Sequence, residues 1–351
     1  MRVRAAALAI ALLGCRTEAR PHTPAAPDAL AEPGPAASFT LTMMDVGTGL
    51  AVLLRGEDFS LLYDAGSNDD RKAGPDNRAL AYLRVLLGPS GAADRCGGDS
   101  DAPERALTHV VLSHPHRDHE SLLPDVFACY AVGHYWHSGA SADTAGHRAL
   151  EEAARAEPAL EQHTARAGET IRLGRLAHAR VLSARTSARD LNDTSVVIRV
   201  ELGRAAVLFM GDAPGGERRS PSAPPDPRSV ESELLAGARA LLDVDVLVVG
   251  HHGSSTSSRA AFLDAVSPRY ALVSSGPFPY GKIELPDREV IEALVARRVV
   301  VKQTKVDEDA CRRSRRKIGA DEDDAPGGCN AVTLRISSTG TIEAEDGPTA
   351  D

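Results

Sequence analysis

The chain has 351 residues, of which 42% are hydrophobic and 4% aromatic, and its formal net charge is −9. That content suits a globular protein rich in Ala, Val and Leu with a sizeable core, in one large domain or two ordinary ones. The acidic balance disfavours sequence-independent binding along a long nucleic acid, which depends on neutralising phosphates, though it leaves room for a local basic groove.

Arg2 and Arg4 precede an apolar run from Ala5 to Leu13 that ends in Leu12-Leu13-Gly14-Cys15. This reads as an export signal over 1–15, too short for a permanent helix across a bilayer of roughly 30 Å. Its end resembles a bacterial lipobox, which makes Cys15 the candidate lipidated residue. Arg16 after it favours the outer membrane, with a plain secretory signal and a periplasmic product as the alternative. Loss of Arg2 and Arg4 takes the formal charge to −11. Residues 16–37 hold five prolines among Ala, Glu and Thr and read as a tether. The globular domain follows over 38–346, with a disordered tail at 347–351.

Within the domain, Ser38 to Val46, Ala51 to Leu54 and Ser60 to Tyr63 read as short strands. A helix from Arg78 to Leu87 breaks at Gly88-Pro89-Ser90-Gly91. Leu107 to Leu112 reads as a buried strand that delivers the next residues to a loop. Then come a helix near Ser121 to Tyr130, a strand from Gly133 to His137 and a helix from Gly146 to Ala156. Val196 to Leu202 and Ala205 to Met210 form a hairpin across Gly203-Arg204. Gly215 to Ser229 reads as a surface loop and Val230 to Leu242 as a helix. Val244 to Val249 and Arg269 to Ser274 are strands, separated by a helix from Ser258 to Ala265. A helix from Asp287 to Arg298, a strand from Val299, a charged excursion from Asp307 to Gly328 and a hairpin from Asn330 to Ala344 complete the chain. The expected architecture is α+β, with two β-sheets covered by helices. The basic run from Cys311 to Lys317 is flanked by acids and reads as a self-neutralised loop.

Apart from Cys15, the chain has Cys96, Cys129, Cys311 and Cys329, an even number in a chain sent to an oxidising compartment. Of the three connectivities, Cys96 with Cys129 and Cys311 with Cys329 closes local loops. The sequence alone does not decide the pairing.

Ser113-His114-Pro115-His116-Arg117-Asp118-His119 packs three imidazoles and a carboxylate into six residues, a spacing that points to a divalent metal. Asp64, Asp212 and His251-His252-Gly253 each follow a strand-like run. In this order the residues resemble the metallo-β-lactamase fold, an αββα sandwich with a two-metal site between its sheets. Met44-Asp45-Val46-Gly47-Thr48-Gly49, Leu61-Leu62-Tyr63-Asp64-Ala65-Gly66, Leu208-Phe209-Met210-Gly211-Asp212 and the run from His251 to Ser258 resemble the extracellular hydrolase domain of ComEC-type competence proteins. The similarity covers about 39–345, and no multi-span channel of that family is expected within these residues.

The resemblance implies that His114 and His116 bind a first metal, Asp118 and His119 a second, that Asp212 bridges them, and that His252 completes the second site. Asp118, Asp64 and His251 are the candidate catalytic residues, with Asp64 orienting a ligand imidazole and His251 either acting as an acid or packing. Two ions roughly 3.5–4 Å apart would hold a hydroxide that attacks a phosphodiester. Where many members of the fold supply a further His, this chain has Asn192, a candidate ligand that would favour Mn²⁺ over Zn²⁺. Gly253 to Ser258, with Ser254 and Ser255, reads as an anion seat or as an ordinary helix cap. Lys282 stands where the competence pattern has a His and is a candidate phosphate or carboxylate contact, with a solvated loop lysine as the equal alternative. Glu120-Ser121 replaces the usual Ile-Gly and should mainly alter packing. The expected partners are a small-molecule or nucleic-acid phosphodiester and a membrane reached through the lipid alone; no protein partner is expected. The alternatives are hydrolysis of a lactone, lactam or thioester on the same fold, and a non-catalytic metal-binding envelope protein.

Overall fold

The computed structural model describes residues 37–70, 72–97, 106–305 and 328–347. The expected leader, Cys15, the tether, Cys311 and the basic run lie outside these residues, as does the end of the tail. Among the described residues there are fifteen strands in two sheets. The first sheet contains β1 (Ser38–Met43), β2 (Ala51–Arg55), β3 (Ser60–Ala65), β4 (Ala106–Val111), β5 (Ala131–His137) and β6 (Glu161–Thr164). The second contains β7 (Thr170–Arg172), β8 (Ala177–Ser183), β9 (Val197–Leu202), β10 (Ala205–Phe209), β11 (Val246–Val248), β12 (Tyr270–Val273) and β13 (Val300–Gln303). The chain then returns to the first sheet with β14 (Val332–Ser337) and β15 (Ile342–Asp346). The strand orders are β15-β14-β1-β2-β3-β4-β5-β6 and β13-β12-β11-β10-β9-β8-β7.

Central strands are apolar on both faces because both faces are covered. In β2, Val52 and Leu54 enter the core between the sheets, while Ala51 and Leu53 face the helical layer outside. Tyr63 from β3 and Phe209 from β10 meet across the sandwich with ring centroids 4.9 Å apart. Outside the first sheet pack α1 (Arg78–Leu87), α2 (Ala93–Cys96), α3 (Arg117–Glu120), α4 (Leu123–Cys129) and α5 (Ala145–Ala156). Leu80 and Leu83 of α1, Val126 of α4 and Leu150 of α5 seal that layer. Outside the second sheet pack α6 (Val230–Gly237), α7 (Ala260–Val266) and α8 (Arg288–Ala296), through Leu234, Phe262, Leu263, Val290 and Leu294. The αββα sandwich is therefore the observed architecture.

Cys96 and Cys129 form a disulfide that ties α2 to the end of α4. Cys329 is disulfide-bonded as well. No helix among the described residues is long and apolar enough to cross a membrane.

Several elements differ from the expected ones. Three strands, β6 to β8, occupy a stretch without an expected element. The expected helix over Val230–Leu242 stops at Gly237, a poor helix former, and continues as a single 3₁₀ turn, Arg239–Leu241. The helix expected from Ser258 starts at Ala260 because Ser258 has φ +60°. The hairpin of β9 and β10 turns at Gly203, whose φ is +64°.

In the first sheet β3, β4 and β5 run parallel, and in the second so do β10, β11 and β12. The carboxyl ends of β3, β4, β10 and β11 carry Asp64, the histidine cluster, Asp212 and His251-His252 to one rim of the sandwich. Hydrogen bonds between the sheets hold that rim together. Tyr63 Oη donates to the Val196 carbonyl at 2.7 Å, Val196 N to the Ser113 carbonyl at 2.9 Å, and Ser274 Oγ to the Gly49 carbonyl at 2.6 Å.

Candidate metal centre

The histidine cluster begins at the end of β4, but only its first half is a loop. Asp118 and His119 lie on the single-turn helix α3, clamped from beneath by the backbone of the first sheet. Leu50 N donates to the Asp118 carbonyl at 2.9 Å, and Gly66 N to the Leu50 carbonyl at 3.1 Å. A Cβ built on Gly66 would fall 2.3 Å from the His119 backbone nitrogen, so only glycine admits this approach.

Side chains from both sheets then converge. His114, His116 and Asp212 place one ligand atom each within 4.8 Å of one another, and so do Asp118, His119 and His252. His114 Nε2 lies 2.9 Å from His116 Nδ1 and 3.8 Å from Asp212 Oδ2. His119 Nε2 lies 3.1 Å from Asp212 Oδ1 and 3.2 Å from His252 Nε2, which is itself 3.6 Å from Asp118 Oδ2. Asp212 thus turns one oxygen to each group.

Neighbouring acceptors select the imidazole atoms that face inward. Asp64, fully buried at φ +58°, takes the Ser113 backbone N–H on Oδ1 at 2.6 Å. Its Oδ2 takes His119 Nδ1–H at 2.8 Å and the Ser113 hydroxyl at 2.7 Å. The Ser113 oxygen in turn receives His114 Nδ1–H at 3.0 Å, and the Ser274 carbonyl receives His252 Nδ1–H at 3.0 Å. With these protons committed, Nε2 of His114, His119 and His252 carries a lone pair toward other acceptors.

In the neutral rings, lone pairs facing one another at these distances repel unless a proton or a metal cation lies among them. Asp212 Oδ1 is buried with no hydrogen-bond donor, which supports the same conclusion. The donor set of imidazole and carboxylate suits zinc or manganese. Burial alone would raise the carboxyls of Asp118 and Asp212. His252 and His119 overcome it at Asp118, and His119, His251 and His252 at Asp212, holding both below the usual range. Burial and the neighbouring His119 keep His114 well below an ordinary imidazole. Against burial, Asp212 and Asp64 draw His119 upward.

The remaining expected residues divide between this centre and its surroundings. Asn192 lies on a 3₁₀ turn, Leu191–Thr194, and its Oδ1 is buried without a donor. It lines a cleft of about 390 Å³ with His251, Thr256 and Arg228. His251 Nδ1 contacts Thr256 Oγ1 at 2.7 Å, and its Nε2 lies 3.7 Å from Asp212 Oδ2. Desolvation lowers its pKa. Lys282 is exposed in the turn after Tyr280.

The anion seat expected over Gly253–Ser258 is filled from within the protein. Ser254 N donates to the His251 carbonyl, Ser255 N to Asp287 Oδ2 at 2.7 Å, and Ser257 N to the Ser254 carbonyl. Ser258 N and Arg259 N end on the buried Glu231. Ser254 Oγ receives Arg218 Nη1 at 3.1 Å and Thr256 Oγ1 at 2.9 Å. Two carboxylates therefore take up amides that an external anion would need, and Ser254 and Ser255 shape the loop.

Three contributors were not singled out from sequence. Ser113 joins both histidine-bearing groups to Asp64, and its place at the end of β4 was the available signal. Asn68 Nδ2 reaches Asp118 Oδ2 at 3.1 Å, and Tyr280 Oη hydrogen-bonds the same oxygen. Neither follows from spacing, because each arrives on a different loop.

Known proteins show the same relationship. The chain is 33% identical over 236 residues to "Competence protein ComA" of Neisseria gonorrhoeae, an alignment covering 67% of this chain and 27% of that protein. It is 28% identical over 270 residues to "Recombination protein 2" of Haemophilus influenzae, covering 77% of this chain and 28% of that protein. The chain thus spans little more than a quarter of the length of these relatives. Among solved structures, the metallo-β-lactamase fold protein YhfI from Bacillus subtilis superposes with a TM-score of 0.46 at 14% identity, covering 76% of this chain and 96% of that one. A family model described as the Metallo-beta-lactamase superfamily matches residues 44–276, and the chain belongs to that superfamily.

Proposed function

We propose that this chain is an exported, metal-dependent hydrolase that cleaves phosphodiester bonds, as a nuclease or a smaller phosphodiesterase. The observation that carries the reading is the division of Asp212 between two ligand groups, which supports a centre of two divalent ions, zinc or manganese. Such ions would supply Lewis-acid activation of water and charge stabilisation for the attacking and leaving oxygens. Similarity to a competence protein supports a phosphodiester substrate.

The chain's own groups then have separate tasks. His114, His116 and Asp212 would hold one ion and Asp118, His119 and His252 the other, and the orphaned Asn192 carbonyl would be a further oxygen donor for the first. Asp64 and Ser113 keep the ligand imidazoles turned inward. His251, with Nδ1–H on Thr256, keeps Nε2 free at the edge of the site to accept a proton and pass it to a leaving group. Lys282 is the cation that would meet a phosphate, since Arg218 is already held by Asp287 and Ser254. The cleft beside His251 contains Asp190, Asp193, Glu217 and Asp226, but Arg185 pairs with Asp193, and Arg219 with both Glu217 and Asp226. These pairings reduce its repulsion of an anion. The leader at 1–15, lipidation at Cys15 and the tether at 16–37 would keep the domain in the cell envelope, its membrane contact limited to the lipid.

The test is protein loaded with Mn²⁺ or Zn²⁺ and offered single-stranded DNA, RNA, a small phosphodiester, a lactam and a lactone. Wild type should cut at least one phosphodiester, and His116→Ala should lose that activity while remaining folded. Opening of a lactam or lactone with every phosphodiester left intact would replace this reading.

A further inference from the structure

A second cluster of metal-ligating side chains stands on the first sheet, on strands that do not carry the centre described above. His134 on β5 is in register with Glu161 on β6, and Trp136 with His163, so all four share one face. His134 Nδ1 lies 3.1 Å from His163 Nε2, and Glu161 Oε2 lies 3.5 Å and 3.8 Å from these two atoms. Ligand atoms about 2.0–2.1 Å from a tetrahedral ion are roughly 3.3 Å apart, close to the separations found here.

Both imidazoles are also held in place. The His163 ring stacks on Trp136 at 4.0 Å with 14° between the planes, and the His134 ring stacks on His109 at 5.0 Å with 19°. Trp136 Nε1–H is directed to His109 Nδ1 at 3.4 Å. A pair of histidines needing only one hydrogen bond between them does not require a carboxylate within reach of both nitrogens. Binding costs less when the ligands already stand at the required spacing. Side-chain exposures of 36% for His134 and 29% for His163 leave an ion a path from solvent.

We propose that His134, Glu161 and His163 form a second metal site for one divalent transition ion of the Zn²⁺ type, which fastens the edge strand β6 to β5. Imidazole with one carboxylate selects Zn²⁺, Cu²⁺ or Ni²⁺ over Mg²⁺ or Ca²⁺. Strand β6 has only four residues and borders a single neighbour, so a crosslink there stabilises an element with few other contacts.

Trp136 is the chain's one tryptophan and reports on its stacked neighbour. Protein free of any polyhistidine tag, with its other ions in place, is titrated with Ni²⁺ while tryptophan fluorescence is read, and Zn²⁺ is then added as competitor. A saturable quench that Zn²⁺ reverses is expected in wild type and equally in His116→Ala. It should vanish in His163→Gln and in His134→Gln, and need more than about tenfold higher Ni²⁺ in Glu161→Gln. The site is overturned by a quench that survives in His163→Gln, by one lost in His116→Ala, or by no saturable quench in wild type.

Discussion

Ser113 is the smallest side chain in the centre and has the most consequences for it. Its hydroxyl takes the Nδ1 proton of His114 and gives its own to Asp64, which at the same time receives the Nδ1 proton of His119. Ser113 thereby sets the tautomer of His114 and, through their shared Asp64, supports the carboxylate that sets the tautomer of His119. Such outer partners typically contribute 10–100-fold to metal affinity. Ser113→Ala keeps the backbone N–H on Asp64 and opens only a small gap, so the protein should fold. Its affinity for the ions should fall by about 10–100-fold, read by competition with a chromogenic chelator. Wild-type affinity in this variant would show that Asp64 alone fixes both rings.

At the scale of elements, the metal-bearing turn α3 depends on α5. Glu120 on α3 and His147 on α5 are both buried and meet at 2.8 Å, so the Glu120 that departs from the competence pattern is an ionic tie rather than simple packing. The hydrogen bond that His147 Nδ1–H donates to the Glu120 carboxylate, against the effect of burial, raises the His147 pKa. A raised histidine contributes its full stabilisation below its unfolded value of about 6.5, and loses it as pH climbs through the folded value. The melting temperature of Glu120→Gln should therefore lie below wild type by on the order of a few degrees near pH 6, and the gap should narrow toward pH 9. A gap that stays constant or widens with pH would remove this tie. Elements of this kind were unevenly legible in the sequence. Strands buried on both faces, such as β2 and β10, stand out as apolar runs, and His114 to His119 carries its own spacing. Strand β8, Ala177–Ser183, alternates buried and exposed residues yet contains His and Arg, so its apolar signal is weak. The filled amides around Ser254 to Arg259 depend on Asp287 and Glu231, distant carboxylates that no local pattern announces.

For the whole molecule, the centre is a joint between two sheets. His114, His116, Asp118 and His119 are carried by the first sheet, whereas Asp212 and His252 follow β10 and β11 of the second. Without ions, the inward-facing lone pairs and the donorless Asp212 Oδ1 oppose closure of this rim, while the apolar core beneath holds the sheets together. Ions bound only by the closed arrangement stabilise the fold by mass action, about 4 kcal/mol per site at a thousandfold excess over the dissociation constant. Chelation should therefore lower the melting temperature by several degrees without unfolding the protein at 25 °C, and restored Zn²⁺ or Mn²⁺ should reverse the shift. In Asp212→Asn, which disturbs both ligand groups, the chelator shift should shrink more than in His116→Ala, which disturbs one. Equal shifts in the two variants would mean that Asp212 serves a single ion and that the sheets are not joined through it.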